Sequence, residues 1–134
     1  MIITLLLVAV LHSGPLPDLS LTPGAVRPLS RTEVCTTRWS LDRRHVTQKM
    51  KRTVAAAYGV PWADSAQYEF DHLIPRELGG ADSVLNLWPQ PWVYAKQKDR
   101  VENRLHVLVC TGLLSLDTAR AAILANWTTA LEGR

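Results

Sequence analysis

Two adjacent side chains, Asp71 and His72, carry the plainest chemical potential in the chain. A carboxylate is the hard oxygen ligand that a Mg²⁺-type cation prefers, and a neutral imidazole near pH 7 is the usual general base. Metal-assisted hydrolysis uses both: a water made nucleophilic, and a cation that neutralises charge on the attacked group and the leaving oxygen. An Asp-His dipeptide alone is common, so its weight depends on its surroundings. Neighbours in a strand point to opposite sides. The pair can therefore serve one site only if the strand bends there or the two residues occupy opposite rims of a groove.

The elements that must position this pair can be read from periodicity. Tyr68-Glu69-Phe70-Asp71-His72-Leu73-Ile74 alternates apolar and polar side chains early on, as a half-buried strand does, and ends at Pro75. Residues 77–83 form a loop in which Gly79 and Gly80 supply backbone freedom. A short second strand is expected over 85–88, before Pro89 and Pro91 break the chain. From Tyr94 the pattern turns helical, with Val101, Leu105, Leu108 and Val109 in one stripe up to Cys110 and Gly112 as the stop. Ser115 caps a last helix carrying Leu116, Ala119, Ile123 and Trp127. Upstream, Thr47 is a fair N-cap for a helix over 48–58, with Met50, Val54 and Ala57 at helical spacing and Gly59 as its end. The order helix, strand, Gly-rich loop, strand, helix, helix fits a small α+β domain.

The run Asp71-His72-Leu73-Ile74-Pro75, followed by Gly79-Gly80 and Asn86-Leu87, resembles the central pattern of the HNH endonuclease family. The step from His72 to Asn86, 86 minus 72 or 14 positions, looks like the family's. The resemblance implies an α+β fold with a small ββα-metal core, a β-hairpin and helix wrapped round one divalent metal ion, and flanking helices. It implies an endonuclease hydrolysing phosphodiester bonds of DNA, with RNA as the alternative. The cation would be Mg²⁺, with Mn²⁺ or Zn²⁺ as alternatives. Asp71 stands where the family places a metal ligand, His72 where it places the base, and Asn86 where an amide pins the loop and orients the base. The third motif position departs from the pattern, because nine positions after Asn86 comes Ala95 rather than His or Asn. Lys98, Asp99 and Glu102 lie further along that helix, and of these Asp99 is expected as second ligand and Lys98 as a phosphate contact. The paired cysteines that some members use for a structural zinc are also missing around the motif.

Composition sets the frame. A chain of 134 residues suits one modest domain, and a net charge of +3 with a pI near 9.1 is compatible with a polyanionic partner. Arg38, Arg43, Arg44, Lys49, Lys51 and Arg52 face only Asp42 in their stretch, a local excess that could track a phosphate backbone or simply be a solvated helix face. Arg76, after Pro75, would join them on phosphates. His45 lies within this run, where phosphate contact and plain exposure are balanced, and His106 reads as a structural residue. Most of the five tryptophans are needed for the core of a domain this small, though Trp92 could line the groove.

Met1 to Leu11 is an uncharged apolar run, shorter than a membrane span and similar to the core of a secretory signal. No Lys or Arg precedes it and no Ala-x-Ala site follows, so an N-terminal core element is the alternative. The expected division is a signal peptide over 1–13, a Pro-rich linker over 14–29 and the nuclease domain over 30–134. The product would be secreted or periplasmic, with no stable membrane association. Cys35 and Cys110 lack CxxC spacing, which excludes a zinc ribbon. In an exported chain they read as one disulfide, and in a cytoplasmic one as two buried thiols. Two other functions compete with the nuclease: a nucleic-acid-binding module on the same fold without catalysis, and an exported hydrolase of another kind, which the basic charge and lack of a nucleophile motif disfavour.

Overall fold

The computed structural model describes residues 14–134, so the expected signal segment 1–13 lies outside the described residues. The chain is an α+β domain with one two-stranded antiparallel sheet and four α-helices among the described residues. Helix α1 spans Arg31–Thr36, α2 Gln48–Ala57, α3 Trp92–Cys110 and α4 Leu116–Asn126; strand β1 spans Tyr68–His72 and β2 Leu87–Pro91. Short 3₁₀ turns at Trp62–Gln67, Arg76–Leu78, Val84–Asn86 and Trp127–Thr129 join them.

The caps follow the sequence. The Thr47 hydroxyl accepts from Met50 N at 3.1 Å, and that of Ser115 from Thr118 N at 3.0 Å. Helix α1 was not anticipated, although its signature was present: the Ser30 hydroxyl accepts from Glu33 N at 3.2 Å while the Glu33 carboxylate accepts from Ser30 N at 2.7 Å, a reciprocal capping box. In α2 the buried side is Val54 and Ala55, with Met50 half-buried and Ala57 exposed, a rotation from the expected stripe.

Strand β2 runs through the two prolines expected to end it. Tyr68 lies opposite Pro91, Phe70 opposite Pro89 and His72 opposite Leu87. Leu73 N donates to Asn86 O at 2.8 Å, which fixes the alternate set, 73 with 86, 71 with 88 and 69 with 90, as the hydrogen-bonded pairs. Both prolines therefore fall at positions whose missing N–H costs the ladder nothing. Residues 84–86, expected within the strand, instead form the 3₁₀ turn that enters it.

The main core gathers Val34 of α1, Leu78, Leu105 and Val109 of α3, Ile123 of α4 and Trp127. Helix α3 packs on both strands and α2 packs on β2. The disulfide is formed: Cys35 and Cys110, 75 positions apart, bring α1 to the end of α3 with a Cα separation of 5.5 Å. Closing a loop of that length constrains the unfolded chain by about 4 kcal/mol in the chain-entropy treatment.

The Pro-rich tract 14–29 has no regular helix or strand, yet it is not a free linker. Thr22 is fully buried and its hydroxyl donates to Leu87 O at 3.0 Å. Gly24 N donates to Leu85 O at 2.9 Å, Arg27 N to Gly79 O at 2.8 Å, and Ala81 N to Ala25 O at 2.9 Å. The tract satisfies backbone groups of the 78–87 segment that would otherwise lack partners, so the packed domain begins before Ser30.

Candidate active site

The loop between the strands is shaped by two glycines and one amide. Gly79 adopts φ of 83°, a left-handed conformation that favours glycine. At Gly80 a Cβ would lie 1.7 Å from Ile74 O, so only hydrogen fits. Asn86 is fully buried; its Oδ1 accepts from Ile74 N at 3.0 Å, and its Nδ2 donates to Ile74 O at 3.0 Å and Ala81 O at 3.1 Å. One side chain thus ties both arms of the loop together.

That closure returns Asp82 to the end of β1. His72 Nε2 lies 2.7 Å from Asp82 Oδ1, with the imidazole 3% exposed. Asp82 Oδ2 accepts from His45 N at 2.7 Å. Burial alone would raise the Asp82 carboxyl, but hydrogen bonds from His45 N and His72 outweigh it and hold it below the usual carboxylate range. An ionised acceptor fixes the imidazole proton on Nε2 and leaves Nδ1 as the basic nitrogen. For His72 itself, burial wins over the Asp82 hydrogen bond and the Asp71 field, and its pKa is pushed below the ordinary histidine value.

Asp71 is captured from the other direction. Lys98 of α3 is fully buried; its Nζ lies 2.7 Å from Asp71 Oδ2, donates to His72 O at 2.8 Å and is paired with Glu102. Burial works against the ammonium, but the two carboxylates outweigh it and raise it above the ordinary lysine range. Two of these contacts are hydrogen bonds, to His72 O and to Glu102, while the contact with Asp71 Oδ2 is an ion pair without hydrogen-bond geometry. Lys98 is therefore a buried tie between α3 and β1 rather than the phosphate contact expected of it.

Around it negative charge is in excess. Glu69 is pushed up to about 7 by burial and by the Asp71 and Asp99 charges. Glu102 is pushed up to about 8, where burial and the Asp71 charge outweigh the attraction of Lys98. Asp99 and Glu77 are also raised, chiefly by burial. Asp71, His72, Arg44, Glu102 and Asn103 line one open cleft of about 250 Å³. The neighbours 71 and 72 reach it together because it opens at the end of the strand.

Asp99 is exposed on α3 and does not line that cleft, where Glu102 and Asn103 come forward instead. Among the described residues, no three His, Cys, Asp or Glu side chains are gathered as a ligand set. The donors at the cleft, Asp71, Glu102 and Asn103, are hard oxygens. They suit a cation such as Mg²⁺, which keeps several waters and takes one or two carboxylates with substrate oxygens. The acidic excess is charge that such a cation would neutralise.

Arg76, expected on phosphate, is tied elsewhere. Its guanidinium pairs with the Asp42 carboxylate, donates to Asp42 O at 3.1 Å and to Arg43 O at 2.9 Å, and its Nε lies 3.5 Å from Asp82 Oδ1. It moors the basic loop beside the cleft and leaves Arg44 exposed at the rim. His106 Nδ1 donates to Glu77 O at 2.7 Å, a structural tie. The residue that sequence reasoning missed is Asp82. Its signal was a carboxylate just past the paired glycines, in a loop whose closure sends it back toward His72. No protein-family model matches the chain, and no curated protein or solved structure matches it.

Proposed function

We propose that the protein is a metal-dependent endonuclease of the HNH type, with a ββα-metal core formed by β1, β2 and α3. The observation that carries this reading is the His72–Asp82 pair, 2.7 Å apart, at a cleft shared with Asp71 and Arg44. An imidazole whose proton is held on Nε2 and whose pKa is depressed is neutral at pH 7, with Nδ1 able to take a proton from water. As that proton arrives, imidazolium forms next to the Asp82 carboxylate, which stabilises it. Asp71 with Glu102 or Asn103 would hold the cation. When bound, it supplies charge neutralisation at the phosphate and leaving oxygen. Arg44 at the rim holds a phosphate through charge, which makes binding salt-sensitive and weak in sequence preference. Asn86 and Lys98 act as positioning residues.

A second reading, binding without cutting, is favoured by the 2.7 Å contact of the Lys98 ammonium with Asp71 Oδ2, which already neutralises the expected ligand. Supercoiled plasmid, single-stranded DNA and RNA, each with Mg²⁺, Mn²⁺ or chelator, separate the two. Cutting that needs metal and is lost in His72→Ala supports the nuclease. Cutting that persists undiminished in His72→Ala refutes the assigned base, and retention without cutting under any metal supports the binding module.

A further inference from the structure

A second cleft, of about 420 Å³, adjoins the first and shares Arg44 with it. Its walls include Tyr68 and Phe70 of β1, Trp92 at the start of α3, and Lys51 of α2, with Glu69 as its one carboxylate. The volume lies within the range of about 300–1,000 Å³ typical of small-ligand sites.

Three observations give this cleft a chemistry. Trp92 is the most exposed aromatic side chain among the described residues, at 55%. Burial would be the ordinary fate of an indole in a domain short of core material. The ring is nevertheless tied to the fold, since Nε1 donates to Ala66 O at 2.9 Å. Phe70, which lines the same cleft, is backed by Trp62, with ring centroids 6.0 Å apart, and the Arg52 guanidinium lies 4.4 Å over the Trp62 ring. Finally, Arg44 and Lys51 set two cations against Glu69 along the cleft. A rigid exposed aromatic plane beside spaced cations is the arrangement that receives an unpaired base and its phosphates. A base inside a duplex has no free face to offer.

From this we infer that the Trp92 cleft is a stacking subsite for an unpaired nucleotide flanking the scissile phosphate, which makes single-stranded nucleic acid the preferred substrate. The inference rests on nucleic acid being what the neighbouring cleft handles. Trp92 stacks the base, Arg44 spans the two clefts on the connecting phosphate, and Lys51 holds the phosphate beyond.

The test is binding rather than cleavage, in chelator. Fluorescence anisotropy compares a labelled single-stranded DNA octamer with a blunt duplex of the same sequence, and single 2-aminopurine substitutions report stacking. Single strands bind at least fivefold tighter than duplex, and 2-aminopurine emission is quenched at one or two positions. Trp92→Ala weakens binding by about 5- to 150-fold. Lys51→Ala lowers the salt slope by about 0.7. Trp92→Phe keeps an aromatic face and stays near wild type, whereas Trp92→Leu loses affinity, and far-UV circular dichroism checks that each variant folds. Equal or tighter duplex binding, no single-strand binding, or Phe and Leu variants that behave alike would overturn the subsite. Single-strand binding that depends on Trp92 in a protein that cuts nothing overturns the nuclease instead. Metal-dependent cutting with unaltered binding by Trp92→Ala overturns only the subsite.

Discussion

Replacing Lys98 with methionine tests the buried ion cluster most directly. Methionine fills nearly the same volume and keeps the apolar stem buried, so the change is close to removal of one charge. At pH 7 the raised Glu102 carboxyl, at about 8, is mostly protonated, so the ammonium chiefly balances one remaining carboxylate. Deleting one partner of a buried pair costs about 3–5 kcal/mol. The variant can avoid part of that by taking up a proton. Protonating an ordinary aspartic carboxyl, with pKa about 3.9, costs roughly 4 kcal/mol at pH 7 and about 1.5 kcal/mol at pH 5. The cheaper route governs. Lys98→Met is therefore destabilised by about 4 kcal/mol at pH 7 and about 1.5 kcal/mol at pH 5. The sign is that of a carboxyl raised in the folded state: its stabilising contribution is complete at low pH and lost as pH rises through the raised pKa. Urea unfolding followed by tryptophan fluorescence at pH 5, 6 and 7 measures it. In the Asp71→Asn/Lys98→Met double variant the loss at pH 7 shrinks by at least about 2 kcal/mol. A Lys98→Met penalty below about 1 kcal/mol at pH 7, or one that does not change with pH, would refute the cluster as described.

Asp82→Ala removes both the hydrogen bond and the charge that raise His72, so its pKa falls further in NMR titration of the imidazole protons, and any nuclease activity drops by about 10²-fold or more. In the intact protein His72 titrates below 6.5; because the unfolded chain then binds the proton first, stability falls as pH drops from about 6.5 through the folded value, which pH-dependent melting follows. Reduction, or Cys35→Ser with Cys110→Ser, lowers unfolding free energy by about 2–5 kcal/mol in urea titration with and without reductant. Gly80→Ala abolishes native folding by circular dichroism, since its Cβ would sit 1.7 Å from Ile74 O, which belongs to backbone pinned by Asn86 and cannot yield.

Local signals were the legible ones. Caps at Thr47 and Ser115, the stop at Gly112 and the strand over 68–72 each depend on a few neighbouring residues, and each stands in the structure, although burial along β1 does not alternate: Tyr68, Asp71 and His72 are buried while Glu69 and Phe70 are half-buried. The course of β2 was not legible from proline content alone, because the cost of Pro89 and Pro91 depends on ladder parity, which is set by the partner strand. The tract 14–29 misled for a related reason: composition reports the lack of regular structure, while its hydrogen bonds to residues 79–87 are tertiary. The motif placed His72, Asp71 and Asn86 near one another. It gave no warning that Arg76 would spend its donors on Asp42 and Arg43, or that Lys98 would turn inward. Long side chains reach several ångströms, and their targets are decided by which carboxylates the fold brings close.

Consecutive residues leave β1 in opposite directions, and each is captured by a different element, His72 by the loop through Asp82 and Asp71 by α3 through Lys98. The two functions can therefore be tuned apart. A divalent cation arriving at Asp71 would be repelled by an ammonium already 2.7 Å from Oδ2, and it would gain the charge of Glu69 and Glu102 only by displacing the protons that their raised pKa values hold there. Removing the ammonium should then act oppositely on fold and ligand: Lys98→Met loses stability without metal but binds Mg²⁺ or Mn²⁺ more tightly, and a greater melting-temperature gain from added cation than in wild type reports it. If the variant gains no more from the cation than the wild type does, Asp71 is not where the cation sits.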